Sequence, residues 1–396
     1  MAVVPGMLHA REAQELAQVA ESQARREALR ASREARTATR VSDVLVGLFA
    51  VADPSQGGTS TTMDVGELLE RGTARIRKGL DDEPEIQARL MSTLGDIYRV
   101  VGDYEQSREH LEGALELWEA TADPDPYRLG QTLNHLAVLD RNVGNYRDAE
   151  ARLIRALELW EEGLGPNHPK IGGLLNNLGN VRQNLGQYET AAEALERALG
   201  TWEKAYGPEH RDVGIAALNL GNVWNQLGRD DDAIALYRRA GTIFEALLGA
   251  DHPHLAVVQN NIGDAQNDLG NYEAAESAFR NALRIRTAAL GPEHSATLAT
   301  ESNLGDVLLR SGRLEEAEAL LADVLSRFEH ALGPDHLQVA YVCVYLSEIR
   351  SHQGRTAEAL AFAERALSLL EGRVEDDEPS LRRAREAAER ARRITR

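Results

Sequence analysis

A single cysteine, Cys343, cannot close an intrachain disulfide, so this chain of 396 residues has no covalent framework and fits a reducing, cytoplasmic setting. Long apolar runs are missing as well. The opening stretch "MAVVPGMLHAREAQ" lacks the apolar core of a secretory leader, and "VLVGLFAVA" at 44–52 is too short to cross a bilayer, so a soluble chain without a membrane partner is expected. Basic residues are outnumbered 44 to 63, and a formal charge of −19 repels phosphate backbones, which argues against nucleic acid as a partner. Arginine exceeds glutamate only at the ends, seven to five in residues 1–40 and seven to two in residues 381–396, so the stretch between them is the acidic part. Aromatic residues make up only 5%, yet 43% of the chain is apolar and 27% charged, the balance of a packed helical protein rather than a disordered one.

What the sequence does have is a period. "LGPNHP" at 164–169 returns as "YGPEHR" at 206, "LGADHP" at 248, "LGPEHS" at 290 and "LGPDHL" at 332, each 42 residues after the last. In rows of that length Gly102, Gly144, Gly186, Gly228, Gly270, Gly312 and Gly354 fall in one column. Seven residues earlier stand Gly95, Ala137, Gly179, Gly221, Gly263, Gly305 and Ser347, each preceded by Leu or Ile. Two more small-residue columns follow, one running from Ser107 through Ala149 to Ala359, the other from Ala114 through Ala156 to Ala366.

In the third row Leu175, Leu178, Val181 and Leu185 recur at three- and four-residue steps, which predicts one helix with an apolar stripe, and Ala191, Leu195, Ala198 and Trp202 predict a second. Each row therefore reads as a helical hairpin. Gly186 sits where the first helix must stop, and Gly165-Pro166 where the second gives way to the next first helix. Gly179 inside a helix would cost about 1 kcal/mol against alanine, and close approach of two backbones at Gly179, Ala191 and Ala198 is the expected compensation.

These columns resemble the tetratricopeptide repeat. Leu178-Gly179, Gly186, Tyr188, Ala191, Leu195 and Ala198 fall where that family has its Leu-Gly, turn, aromatic, Ala, bulky and Ala positions, over residues 64–371. The 42-residue period, with the extra residues in the "LGPNHP" segment, is similar to the repeats of kinesin light chains and their bacterial relatives. The resemblance implies an all-α fold, a right-handed α-solenoid of about seven hairpins at 80–371, with a half repeat ahead of it. Residues 41–79 then hold the N-terminal cap ("VSDVLVGLFAVADPS") and that half repeat, with Leu69 and Ile76 in register. Residues 1–40 are expected to form an Ala/Arg/Glu-rich helix, and 372–396 an acidic-then-basic helix or tail without much apolar face. The N-terminal arrangement also resembles the segment that joins kinase domain to repeats in bacterial serine/threonine kinases, although no kinase domain is read in this sequence.

Three features invite chemistry. His168, His210, His252, His294 and His336 could suggest a metal, but each occupies the same place in a different hairpin. Packed helices lie about 8–10 Å apart, and zinc needs nitrogens at about 2 Å, so one ion cannot be shared; a ring nitrogen bonded to backbone in each loop is expected instead. "HRD" at 210–212 matches a kinase triplet, but position 217, where the triplet needs Asn, is Ala, and the same slot reads "HPK" at 168–170. "DDD" at 230–232 suits a helix N-terminus. No catalytic, cofactor or metal residues are assigned, and an enzyme is not expected.

The first helices carry a polar face opposite their leucines: Asn177, Asn180 and Asn184 in the third row, then Asn219, Asn222 and Gln226, then Asn261, Asp264 and Asp268, then Asn303, Asp306 and Arg310. The earlier rows drift to His135, Val138, Asn142 and to Thr93, Asp96, Val100. Carboxamides offer donor and acceptor together, the match for the main chain of an extended peptide, and the aspartates would favour Lys or Arg in it. The resemblance implies the same, since first helices line the concave side in this family. Equally, such amides could bond to neighbouring helices, and both readings stand on sequence alone. The expected function is a non-catalytic scaffold binding a protein or peptide segment; the alternatives are the regulatory portion of a serine/threonine kinase system, with a kinase as partner, and an intracellular peptide-signal receptor. The sequence sets no oligomeric state.

Overall fold

The structure, a computed structural model, describes residue 80, residues 82–374 and residues 379–395. The expected helix over 1–40, the cap and half repeat over 41–79 and the acidic residues 375–378 lie outside the described residues. What is described contains fifteen helices and no strand, and divides after Pro166 into two compact units.

The first unit holds two hairpins, α1 (Pro84–Val101) with α2 (Tyr104–Ala120) and α3 (Pro126–Asn142) with α4 (Tyr146–Leu164). The second holds five: α5 (Pro169–Asn184) with α6 (Tyr188–Tyr206), α7 (Arg211–Gln226) with α8 (Asp230–Leu248), α9 (Pro253–Asp268) with α10 (Tyr272–Leu290), α11 (Ser295–Arg310) with α12 (Leu314–Leu332), and α13 (Leu337–His352) with α14 (Thr356–Leu370). A last helix, α15 (Pro379–Thr395), packs on α13 and α14. The seven hairpins fall on the seven rows of the sequence.

Two glycines in each row after the first make the chain reverse, and the first row has one, Gly102, its second helix ending at Thr121. Gly186, at φ 71°, closes α5: its N–H donates to the Gln183 carbonyl at 3.0 Å and the next N–H, of Gln187, to the Arg182 carbonyl at 2.9 Å, which satisfies carbonyls left open at a helix end. Gly207 closes α6 at φ 86° and ψ 165°, a region that residues with a side chain essentially never enter.

Where the Gly179 column holds glycine, it makes room for the second-helix side chain sixteen residues on, rather than for a second backbone at Ala191 and Ala198. A Cβ added to Gly179 would stand 2.5 Å from Leu195 Cγ; at Gly263 it would meet the Phe279 ring at 2.8 Å, and at Gly221 the Tyr237 ring at 2.7 Å. At the two end rows serine enters the seam and bonds across it: Ser107 Oγ donates to the Gly95 carbonyl at 2.7 Å, and Ser347 Oγ to the Ala359 carbonyl at 2.8 Å. A second seam, not singled out from the sequence, puts Gly172 under Trp202, whose indole N–H donates to the Pro169 carbonyl at 2.9 Å, and Gly130 under Trp160, which donates to the Tyr127 carbonyl at 3.0 Å.

The histidines brace the start of the first helices. Nδ1 of His168, His210, His252, His294 and His336 each accepts the backbone N–H two residues on, at 3.1–3.3 Å, and so acts as the N-cap of α5, α7, α9, α11 and α13. Asp125 does the same for α3, accepting from the N–H of Tyr127 at 2.9 Å. The "HRD" triplet is thus a cap: His210 receives the N–H of Asp212 at 3.2 Å.

Between hairpins of the second unit the backbone of α5 approaches that of α7, α7 that of α9, α9 that of α11, α11 that of α13 and α13 that of α15, whereas successive second helices keep their backbones apart and meet through side chains, as in the ion pairs of Arg239 with Glu203 and of Arg365 with Glu329. The first helices are therefore the closer-spaced layer. Residues 379–395 are more buried than their Arg-rich composition suggests, because Leu381, Ala384, Ala388 and Ala391 recur at helical steps and, with Ala387, are covered.

Candidate peptide-binding face

The polar residues of α5, α7, α9 and α11 lie in the layer where successive first helices meet, half-buried rather than sunk: Asn177, Asn180, Asn219, Asn222, Asn261, Asp264 and Asn303 are partly covered, Asn184, Gln226, Asp268 and Arg310 exposed, and Asp306 buried. Hydrogen bonds stitch them from one hairpin to the next. Asn219 Nδ2 donates to Asn176 Oδ1 at 2.8 Å, Asn261 Nδ2 to Asn222 Oδ1 at 2.8 Å, and Asn303 Nδ2 to Asp264 Oδ1 at 3.1 Å. Asn184 instead turns back on its own helix and donates to the Asn180 carbonyl at 2.9 Å. Tyr237 O–H adds a bond to Asn222 Oδ1 at 3.0 Å from the second helix of the same hairpin.

From Asn180 and Asn222 the column turns acidic at Asp264, Asp306 and Glu348. Asp306 receives Asn267 Nδ2 at 2.9 Å, Arg310 Nε at 2.9 Å and Arg383 Nη2 at 3.1 Å, while Arg310 Nη1 stands 3.9 Å from Asp268. Asn176, Asn260, Asn267, Tyr237, Glu348 and Arg383 belong to this network and were not among the residues picked from the sequence. In the first unit the equivalent positions diverge: His135 Nδ1 lies 3.4 Å from Ser92 Oγ, burial holds its ring below the usual imidazole range, and Asp96 pairs with Arg99 at 2.7 Å.

Asp264 is the electrostatic centre of the face. Burial first, then the charges of Asp268 and Asp306, push its carboxyl up to about 7, against the pull of Arg286. A carboxyl whose pKa rises on folding contributes its stability below the unfolded value of 3.8 and loses it as pH climbs through about 7. The advantage of Asp264→Asn over the parent should therefore grow from pH 3.8 to about 7 and level off above it, in thermal denaturation followed by circular dichroism; a constant offset across that range would contradict this assignment.

Among the described residues no three His, Cys, Asp or Glu side chains are arranged to hold a metal ion, and no helix is long and apolar enough to cross a membrane.

Antiparallel hairpins joined by a repeated small-residue seam define a helical-repeat protein. The chain belongs to the tetratricopeptide repeat family: a model described as Tetratricopeptide repeat matches residues 86–141, 170–246, 216–288, 254–329 and 296–372, and a second of the same description matches 129–170. No curated protein matches it significantly. Among solved structures it is similar to BtubC (BKLC) from P. vanneervenii, at 25% identity and TM-score 0.50 over 56% of this chain and 90% of that one. It is also similar to the apo quorum sensor NprR from B. thuringiensis, at 15% identity and TM-score 0.53 over 85% and 99%. NprR in complex with its cognate peptide NprX matches at 16% identity and TM-score 0.50 over 90% and 99%. The two NprR comparisons speak for the fold alone.

Proposed function

We propose that the first-helix face of the second unit binds an extended peptide or protein segment through its main chain, and that the protein serves as a non-catalytic interaction scaffold in a cytoplasmic setting. The observation that carries this reading is the row of half-buried amides linked from hairpin to hairpin. A carboxamide has two N–H donors and an oxygen with two lone pairs; one bond to a neighbouring helix fixes its plane without exhausting it. The bonding to neighbours and the capture of a ligand are thus compatible, the first orienting the groups for the second. The closer backbone approach of successive first helices supports reading this face as the tighter side of the stack, where a strand of peptide would meet several hairpins at once. The acidic column from Asp264 onward favours Lys or Arg in the bound segment. NprR, which takes the peptide NprX, supports the view that the fold can hold a peptide.

Replacing Asn177, Asn219 and Asn261 together by alanine should abolish capture of a peptide shown to bind the parent. The variant should keep its helicity and lose about 1 kcal/mol of stability for each hydrogen bond removed. Calorimetric titration checks it, and unchanged affinity would overturn the reading.

A further inference from the structure

Arg383, on α15, reaches into the acidic end of the amide face. Its Nε donates to Glu348 Oε1 and its Nη2 to Glu348 Oε2, both at 2.8 Å, and Nη2 also reaches Asp306 Oδ1 at 3.1 Å. The guanidinium carbon lies 5.0 Å from the centroid of the Tyr345 ring. A fork of two parallel bonds to one carboxylate, a second carboxylate beside it and an aromatic ring against the plane form a set that suits arginine and not the point charge of lysine. The two carboxylates stand 42 residues apart in the column that continues Asn180, Asn222 and Asp264. This arginine therefore occupies one step of the ladder itself.

The helix that delivers Arg383 is lightly seated. Its covered apolar side chains are one leucine and four alanines, Leu381, Ala384, Ala387, Ala388 and Ala391, whereas α12 buries Leu321, Val324 and Phe328. Alanine hides one methyl, so α15's own share of the apolar contact with Ala363 and Leu370 of α14 is small. Its other ion pairs, Arg392 with Glu364 at 2.9 Å and Arg385 with Glu371 at 3.9 Å, are exposed and hold weakly.

We propose that α15 is a detachable occupant of this face: Arg383 fills a guanidinium site made by Asp306, Glu348 and Tyr345, and a partner segment bearing an arginine enters by displacing it. The proposal rests on the reading of the first-helix face as a peptide groove and names the residue that the ligand must supply at its acidic end. The two are separable, since Asn177, Asn219 and Asn261 lie outside the Arg383 site.

The test uses the full chain, a fluorescent pentapeptide with a central arginine, and its twin carrying neutral citrulline at that place. By anisotropy, Arg383→Ala should bind the arginine peptide about ten-fold tighter than the parent. Citrulline should gain nothing, and Arg383→Ala with Glu348→Gln should return to the parent level. In the unaltered chain, saturation with the arginine peptide should speed amide hydrogen exchange across 379–395, a readout independent of any variant's folding. Equal affinity for parent and Arg383→Ala, indifference to Glu348→Gln, or binding that leaves the exchange of α15 unchanged would each overturn the proposal. A gain from Arg383→Ala that survives the triple asparagine variant keeps the arginine site and counts against main-chain gripping. Amide-dependent capture that ignores Arg383→Ala does the reverse.

Discussion

Truncation of Phe279 to alanine should destabilise the second unit by about 3–5 kcal/mol, the cost of emptying a core site, and should invert the effect of a change on the opposite helix. Phe279 is fully buried, and its ring lies on Gly263, where an added Cβ would meet three ring carbons at 2.8–2.9 Å. In the parent, Gly263→Ala gains about 1 kcal/mol of helix propensity and loses about 1–3 kcal/mol to overpacking, a net destabilisation or near balance. Once Phe279 is alanine the clash is gone, the new methyl enters the vacated space, and the same substitution should stabilise by about 1 kcal/mol. Urea unfolding of the four proteins as a double-mutant cycle measures the coupling; hydrogen exchange in α9 and α10 localises it, which matters because an array of repeats need not unfold in one step. Gly263→Ala having the same effect in both backgrounds would refute the seam as described.

Changing all five capping histidines to alanine is expected to cost about 5 kcal/mol in total, from about 1 kcal/mol per lost cap at sites a repeat apart that add independently. Changing them to aspartate should cost little. The structure already contains that substitution in effect, since Asp125 accepts the N–H groups of Tyr127 and Arg128 at the start of α3, and a carboxylate there also meets the positive end of the helix. Thermal melts of the parent, the five-alanine and the five-aspartate chains separate the cases. Equal losses in the two variants would mean that the histidines act through ring packing, of which the tilted contact of His210 with Tyr206, ring centroids 4.3 Å apart, is one instance, rather than as caps.

The hairpins were legible in the sequence because their cost is visible there: a glycine such as Gly179 inside an apolar helix must be offset by something, and a 42-residue recurrence says that the same thing happens each time. The same cue was available at Gly130, Gly172 and Gly214, which face Trp160, Trp202 and Phe244. The backbone role of the histidines was legible from their position between Gly-Pro and the next helix. Which amide would meet which was not. Columns give the face a residue occupies, whereas Asn219 bonding to Asn176 while Asn261 bonds to Asn222 depends on the axial offset and rotamers of adjacent helices. Nor was the packing of α15 legible, because a face built of Ala384, Ala387, Ala388 and Ala391 hardly registers against six arginines on a hydrophobicity scale.

Among the described helices, each hairpin packs only on its immediate neighbours, which makes every hairpin's surroundings local. Excising 42 residues from the middle of the second unit, for instance 211–252, would bring His210 directly before Pro253, a junction the chain already spells as His252-Pro253. The number of units is thereby free to change in whole steps, and the reach of the binding face, rather than its chemistry, is what such gains and losses would set.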